Sequence, residues 1–248
     1  MYQNPYKAWK RQTSPPARNQ YSVIDQKVGD VTGDHVPDIV SLIGTSSPSG
    51  PFIQNVTIIV QDGRTRQSYP IHLPTNSGYG PTLFLGDFTG DRVNDILVRM
   101  DSGGSGGFTY DYIFSFVNHQ TKMLFNYEQF NKETSYEVDY LDHYRVRVRN
   151  ITKNQSLVLD ITWKGPEYLS EIYNQNGTLK APIKGWVNAL GGLYPVDYNR
   201  DGINELLAYQ RVVGRYNADG LGDLLTVLNW NKSQFVPARQ EIAVPFGS

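Results

Sequence analysis

The stretch VGDVTGDHVPDIVSL, residues 28–42, sets oxygen-bearing side chains at alternate positions and then runs into an apolar segment. Asp30, Thr32, Asp34 and Asp38 lie at the spacing at which a calcium loop places its first ligands. The same residues are typical of a tight acidic turn, in which Asp side chains accept hydrogen bonds from main-chain N–H groups. This stretch alone leaves both interpretations open.

The stretch recurs along the chain. LGDFTGDRVNDILVRM covers residues 85–100, and VDYNRDGINELLAY covers residues 196–209. Counting from Asp30, the first aspartates follow after 57 residues at Asp87 and after a further 110 at Asp197. Because the second interval is about twice the first, the spacing predicts a period near 55 residues.

The period predicts a further copy near Asp139, in YEVDYLDHYRVRVRN. Leu141, His143 and Arg147 stand there in place of oxygen ligands. We interpret this segment as a copy that kept its strands and lost its loop chemistry. RYNADGLGD, near the end of the chain, looks like another calcium loop, but it aligns with the connection between two strands and is interpreted as a look-alike.

Each copy continues with short segments of alternating apolar and polar residues, such as NVTIIVQD and YDYIFSFVN, bounded by Gly, Ser and Asn. Period-2 alternation is typical of strands, and no segment shows a clear 3.6-residue period. Aromatic residues make up 12% of the chain, which also holds 23 glycines and 14 prolines, a composition that favours strands joined by many turns. We predict an all-β protein, a β-propeller of about four, possibly five, four-stranded blades. The propeller domain is predicted over residues 21–248, after an N-terminal arm or linker over residues 1–20.

Five positions of each loop are candidate calcium ligands, the middle one through its main-chain carbonyl. Three carboxylates in one tight loop repel each other unless a cation lies between them. None of the loops has the Glu that closes an EF-hand at position 12. The candidate ligands are Asp30, Thr32, Asp34, Val36 and Asp38 in the first loop, Asp87, Thr89, Asp91, Val93 and Asp95 in the second, and Asp197, Asn199, Asp201, Ile203 and Glu205 in the third.

At these residues the sequence resembles the FG-GAP/VCBS repeat family, the calcium-loop repeats of integrin α-subunit propellers and many bacterial surface proteins. The resemblance implies a β-propeller with Ca²⁺ held at the blade loops by the residues just named. The first two loops depart from the family pattern in having Thr at position 3. His35 and Arg92 occupy position 6, where Gly is usual, and Arg200 occupies position 4 of the third loop.

Charge and composition exclude several classes of function. The formal net charge is −1, which gives no basic field for nucleic acid, and no apolar run is long enough to span a membrane. The chain has no cysteine, which excludes disulfides and thiolate catalysis. No signal peptide is visible. An extracellular or cell-surface location is nevertheless expected, because a leader can be removed.

Catalysis has no clear motif, and the sequence favours a monomeric, non-catalytic binding or scaffold module for a protein or glycan. Histidines 35, 72, 119 and 143 show no metal or triad spacing. Two alternatives stay open: a carbohydrate-binding propeller, with Trp163, Trp186 or Trp230 against sugar rings, and a polysaccharide hydrolase or lyase on the same fold. Arg145, Arg147 and Arg149 alternate in RVRVRN, residues 145–150, and are expected on one strand face. Three states are open for them: replacing the lost calcium charge of this copy, binding an anionic ligand, or forming a solvated surface.

Overall fold

A computed structural model describes residues 21–47 and 50–244 of the chain. The predicted N-terminal arm over residues 1–20 lies outside this part. The described residues form two antiparallel sheets, and the prediction of an all-β protein is confirmed.

The first sheet has eight strands in the order β1-β2-β3-β5-β6-β7-β8, with β4 paired to β3. Its strands are β1 (Ser22–Gly29), β2 (Asp38–Ser47), β3 (Gly50–Gln61), β4 (Ser68–His72), β5 (Gly78–Gly86), β6 (Asp95–Asp101), β7 (Thr109–Ser115) and β8 (Lys122–Asn126).

The second sheet has seven strands in the order β11-β10-β9-β12-β13-β14-β15. Its strands are β9 (Tyr136–Leu141), β10 (Arg145–Asn150), β11 (Gln155–Asp160), β12 (Lys184–Val196), β13 (Glu205–Val213), β14 (Gly220–Trp230) and β15 (Phe235–Ala243). The sheet curls like an open barrel, because Gln240 of β15 reaches back to bond Tyr136 of β9 and Asn150 of β10.

The strands form four consecutive meanders, which we call meander 1 (β1–β4), meander 2 (β5–β8), meander 3 (β9–β11) and meander 4 (β12–β15). Along each strand, alternate side chains point to opposite faces of the sheet. In β3, for example, Val56, Ile58 and Val60 are fully buried between more exposed neighbours. Two short helices also form, α1 (Tyr127–Glu133) and α2 (Gly165–Ile172). The Asn126 side chain caps α1 by accepting a hydrogen bond from the Glu128 N–H.

The predicted four-blade propeller is not confirmed. Short strand pairings join meander 1 to meander 2 and meander 3 to meander 4, so each sheet continues across two meanders where separate blades are expected. Of the three hydrophobic clusters in the described residues, one joins meanders 1 and 2, another meanders 2 and 4, and the third meanders 3 and 4. A ring in chain order would instead bring meander 2 against meander 3.

Meander 3 contains the segment that we interpret as a copy without loop chemistry. Strands β9 and β10 pair in register from Leu141–Arg145 to Tyr136–Asn150, and the turn between them takes His143 and Tyr144 into the left-handed region. A short hairpin turn thus stands where meanders 1, 2 and 4 carry a longer acidic loop.

Candidate functional site

The three acidic loops lie at matching places in the fold, between β1 and β2, between β5 and β6, and between β12 and β13. Their backbones share a left-handed residue at position 6, with φ of 65° at His35, 66° at Arg92 and 86° at Gly202. Position 4 is also left-handed, at Gly33, Gly90 and Arg200. Glycine adopts this conformation without strain, and the three non-glycine residues do not. The loops therefore keep one backbone shape despite their departures from the usual glycine pattern.

The first aspartate of each loop holds that shape by accepting main-chain hydrogen bonds. The Asp30 carboxylate accepts bonds from the N–H groups of Gly33 and His35, at 2.7 and 2.8 Å. Asp87 accepts the equivalent bonds from Gly90 and Arg92, and Asp197 accepts bonds from Asp201 and Gly202. These contacts are those of an acidic turn capped by its own side chains.

In the first loop, protein groups neutralise the remaining carboxylates. Arg64 places Nε 2.6 Å from Asp34 Oδ2 and also donates a hydrogen bond to the Asp34 carbonyl. The hydrogen bond from Arg64 to the Asp34 carboxylate is the largest cause of the lowered pKa of Asp34. The buried Asp38 uses both oxygens, accepting bonds from the Val31, Thr32 and Gly63 N–H groups.

In the second loop, the carboxylates are not neutralised by protein groups to the same extent as in the first. Asp95 is fully buried, and only its Oδ2 accepts a hydrogen bond, from the Phe88 N–H at 3.1 Å. Asp95 Oδ1 and Thr89 Oγ1 are both buried without a hydrogen-bond partner. The pKa of Asp95 is raised to about 7, chiefly by burial and also by the charges of Asp91 and Asp87, while hydrogen bonding by the Phe88 N–H and the Ser115 hydroxyl acts in the opposite direction. Within the described part of the chain, no basic side chain forms an ion pair with these three aspartates.

The third loop is the most open to solvent. Asp201 is exposed, its Oδ2 accepts a hydrogen bond from Asn199 Nδ2, and its Oδ1 accepts one from the Ile203 N–H. Glu205 accepts a bond from the Tyr198 N–H at 3.1 Å. The longer Glu side chain thus takes the same kind of main-chain partner as Asp38 and Asp95.

The predicted ligands lie in one loop each, but their acidic side chains do not converge on a point. Across residues 21–47 and 50–244, no three His, Asp or Glu side chains come close enough to hold a metal ion. The hydrogen bonds shown are those of capped turns. The donor set of the second loop nevertheless fits a hard cation best, since two of its buried oxygens have no other partner.

Adjacent loops are joined by hydrogen bonds. The Asn94 N–H of the second loop donates to the Asp30 carbonyl of the first, and the Asn204 N–H of the third donates to the Asp87 carbonyl, at 2.9 and 2.7 Å. The two bonded carbonyls belong to Asp30 and Asp87, the first predicted ligands of their loops. The first loop is thus bonded to the second and the second to the third, so the three loops form one row across meanders 1, 2 and 4.

Sequence reasoning missed a charged cluster around Asp219. Its Oδ1 lies 2.7 Å from Lys164 Nζ, and its Oδ2 accepts hydrogen bonds from the Tyr168 hydroxyl and the Arg215 N–H. Although burial opposes it, the pKa of Asp219 is lowered, chiefly by Lys164. The guanidinium of Arg215 lies over the Tyr168 ring. Asp219 belongs to RYNADGLGD, which forms the connection between β13 and β14 and the start of β14, so this acidic stretch pairs with the half-buried Lys164.

Cavities also lie away from the acidic loops. One, about 630 Å³, is a groove between β8, α1 and β15 whose wall includes Phe125, Phe130 and Phe235. A second, about 400 Å³, lies beside the Asp219 cluster and is lined by Trp163, Lys164 and Arg211, among others. The rest of the wall of this cavity comes from segments far from Trp163 and Lys164 in the chain. For that reason only the adjacent Trp163 and Lys164 could have pointed to it in the sequence.

The remaining aromatic and basic candidates have protein partners. Trp186 donates a hydrogen bond to Asn188, and Trp230 packs against the Phe235 ring. Arg147 and Arg149 form cross-strand ion pairs with Asp139 and Glu137, at 2.8 and 3.4 Å. These arginines therefore lie on a strand face where Arg147 and Arg149 are ion-paired, which favours the solvated surface among the three expected states.

Comparison with known proteins identifies the family. The family model for the YybI C-terminal domain matches residues 134–243. The uncharacterized protein YybI of Bacillus subtilis (strain 168) is 51% identical over 227 residues, which cover 92% of this chain and 86% of that protein. The chain belongs to the YybI family. The range matched by the family model coincides with the second sheet, from β9 to β15.

The predicted membership of the FG-GAP/VCBS repeat family is wrong, since the matching family is that of YybI. The physical reason is that the spacing of acidic residues in these loops is short and is also produced by turns that cap their own N–H groups. A separate finding concerns membranes: among the described residues, no helix has the length and apolar character needed to cross one.

Proposed function

We propose that this YybI-family protein is a non-catalytic binding or scaffold module in which Ca²⁺ stabilises the second acidic loop. The observation that carries the proposal is the pair of buried, unpartnered oxygens in that loop, Thr89 Oγ1 and Asp95 Oδ1. Calcium prefers oxygen ligands, and its binding would draw the carboxylates of Asp87 and Asp91 and the Val93 carbonyl towards this pair. Bound calcium would neutralise the loop and fix it between β5 and β6.

The first and third loops are weaker candidates for the same ion. Arg64 already provides a positive charge at Asp34 in the first loop. In the third loop, both oxygens of Asp201 already accept hydrogen bonds, and among the described residues no oxygen of this loop is buried without a partner. We propose occupancy in the order second, third, first loop.

The wider proposal is a propeller-like arrangement in which each meander serves as a blade. Support comes from the repeated meanders and from the hydrogen bonds that link the three acidic loops in a row. A monomer at the cell surface or outside the cell, with a protein or glycan ligand, completes the proposal. Extracellular calcium sites of modest affinity are filled at millimolar concentrations.

Thermal unfolding with calcium or with a chelator tests the loop assignment. Saturating calcium is expected to raise the Tm of the wild-type chain, because an ion bound only to the folded state stabilises it by mass action. Asp91→Asn is expected to abolish most of the shift, whereas the matched Asp34→Asn in the first loop leaves it intact. Equal shifts in both variants, or none in the wild-type chain, would count against the second loop.

A further inference from the structure

The 400 Å³ cavity beside the Asp219 cluster is built from several segments. Strands β12, β13 and β14 supply one wall, the turn between β6 and β7 another, and the residues just before α2 a third. Small-molecule sites of about 300–1,000 Å³ are common in proteins, so the cavity has room for a ligand of one or two sugar rings. The aromatic, polar and charged side chains of its wall include Trp163, Lys164, Asn188, Tyr209, Arg211 and Asp223.

Two glycines make room for the polar side chains of the cavity. A Cβ on Gly191 would lie 3.2 Å from the Tyr209 ring, and a Cβ on Gly220 would lie 2.7 Å from Arg211 Nη2. The ring and the guanidinium therefore lie directly against backbone. Tyr209 is half-buried at the cavity wall, whereas Arg211 is exposed there.

Most of the polar groups in the wall already have partners. Tyr209 donates a hydrogen bond to Asp223 Oδ1 at 2.6 Å, and Lys164 is paired with Asp219. Asn188 Nδ2 donates to Asn217, and its Oδ1 accepts from Trp186. These bonds fix the wall before any ligand arrives.

Arg211 is the exception. Within the described part of the chain its guanidinium forms no ion pair and no side-chain hydrogen bond, although Asp223 lies opposite it in the strand register. A guanidinium binds a carboxylate through two parallel hydrogen bonds. Around it, Asp223 has a second carboxylate oxygen to accept a bond from a hydroxyl, and Trp163 adds an indole to the wall.

We propose that this cavity binds a carboxylated saccharide, with the carboxylate of a hexuronate unit on Arg211 and its hydroxyls beside Asp223 and Asn188. A neutral sugar would leave the Arg211 guanidinium without an anionic partner. Inorganic phosphate would also place its charge near Asp223, and it lacks the ring of hydroxyls with which a hexuronate would fill the cavity. The inference extends the proposed binding role and is independent of the calcium loop.

Tryptophan fluorescence and calorimetry with the full chain test this site, in the presence of EDTA so that calcium plays no part. The probes are D-glucuronate and D-galacturonate, compared with D-glucose, D-galactose, acetate and inorganic phosphate. We expect saturable binding of a hexuronate at millimolar or lower concentration, with at least about tenfold weaker binding of the matched hexose, because a charge-assisted bidentate contact is lost.

Arg211→Gln is expected to weaken hexuronate binding by at least about tenfold, which is the loss of the same contact. Arg66→Gln, on the exposed turn between β3 and β4, is the matched control and should bind like the wild-type chain. Circular dichroism checks the fold of both variants, and the comparison of ligands on the wild-type chain needs no variant. Equal binding of hexuronate and hexose, binding of phosphate or acetate alone, no binding of any probe, or an unaffected, folded Arg211→Gln would overturn the proposal.

Discussion

Asp111 shows how the surroundings of one residue change its chemistry. It lies on β7, fully buried, where its Oδ2 accepts a hydrogen bond from the Thr109 hydroxyl and its Oδ1 has no partner. Arg99, opposite it in register on β6, instead lies over the Tyr194 ring of β12. Burial raises the pKa of Asp111 to about 7. An ionised Asp111 therefore opposes folding at neutral and higher pH.

We expect Asp111→Asn to stabilise the protein above pH 7. The folded pKa of about 7 is above the ordinary value of 3.8, so the folded state holds this proton more tightly. Its contribution to stability is full below pH 3.8 and is lost as the pH rises to about 7. Asparagine cannot ionise, and the gain should be of the order of a few kcal/mol in unfolding free energy at pH 8.

Urea unfolding at pH 5 and pH 8 measures the effect, with the exposed Asp142→Asn as control. The difference between Asp111→Asn and the wild-type chain should grow with pH, while that of the control stays flat. A difference independent of pH would show that Asp111 is not titrating in this range.

The sequence could not predict this buried carboxylate. In YDYIFSF, alternation predicts one buried and one exposed face, and Asp111 is placed with the exposed set. Both faces are buried, because Tyr112 and Phe114 pack between meanders 1 and 2 while Ile113 packs against meander 4. Only the contact with a distant meander gives Asp111 its environment.

At the scale of elements, the sequence predicted strands well and their partners less well. ELLAYQRVV corresponds to β13, and DILVRM lies within β6. The loops also fall between strands, as predicted from their apolar flanks. Helices α1 and α2 were not predicted, since each spans only two turns and has no long periodic pattern. Arg64, which neutralises Asp34 from 30 residues away, could not be paired with it by local pattern.

The turn between β3 and β4 depends on Gly63. A Cβ there would lie 2.1 Å from the Pro37 carbonyl oxygen, a main-chain atom that cannot swing aside. The Gly63 N–H also donates a hydrogen bond to Asp38 in the first acidic loop. This close approach locks the turn onto the loop.

Gly63→Ala is expected to destabilise the protein by about 1–3 kcal/mol, as overpacking does elsewhere. Gly50→Ala is the matched control, because a Cβ at Gly50 meets nothing within 4 Å. Thermal unfolding should show a clear fall in Tm for the first variant and almost none for the second. Equal Tm values would mean that the turn is not held against the loop.

At the scale of the whole molecule, meander 4 connects the two sheets. Leu190, Leu193 and Leu206 pack with Phe88 and Leu97 of meander 2 in one buried cluster. The predicted domain over residues 21–248 stays a prediction, and this cluster supports it. The sequence showed repeated units but gave no sign that meander 4, distant in the chain, is the neighbour of meander 2.

A fragment of residues 134–243 is expected to be less stable than the full chain. Separation exposes the apolar side chains of meander 4 that meander 2 covers, and each buried leucine is worth about 1.5–3 kcal/mol. The fragment should unfold at a lower urea concentration and bind a hydrophobic dye, while the full chain unfolds in one transition. A fragment as stable as the full chain would show that the second sheet is an independent domain.

Calorimetric titration of calcium into the chelator-treated protein measures the second acidic loop directly. We predict a strongest site of about one ion per chain, which Asp91→Asn removes and Asp34→Asn leaves in place, because Asp34 is already paired with Arg64 whereas the second loop has buried oxygens without a partner. Absence of calcium binding at millimolar concentration, or a site lost equally in both variants, would contradict it.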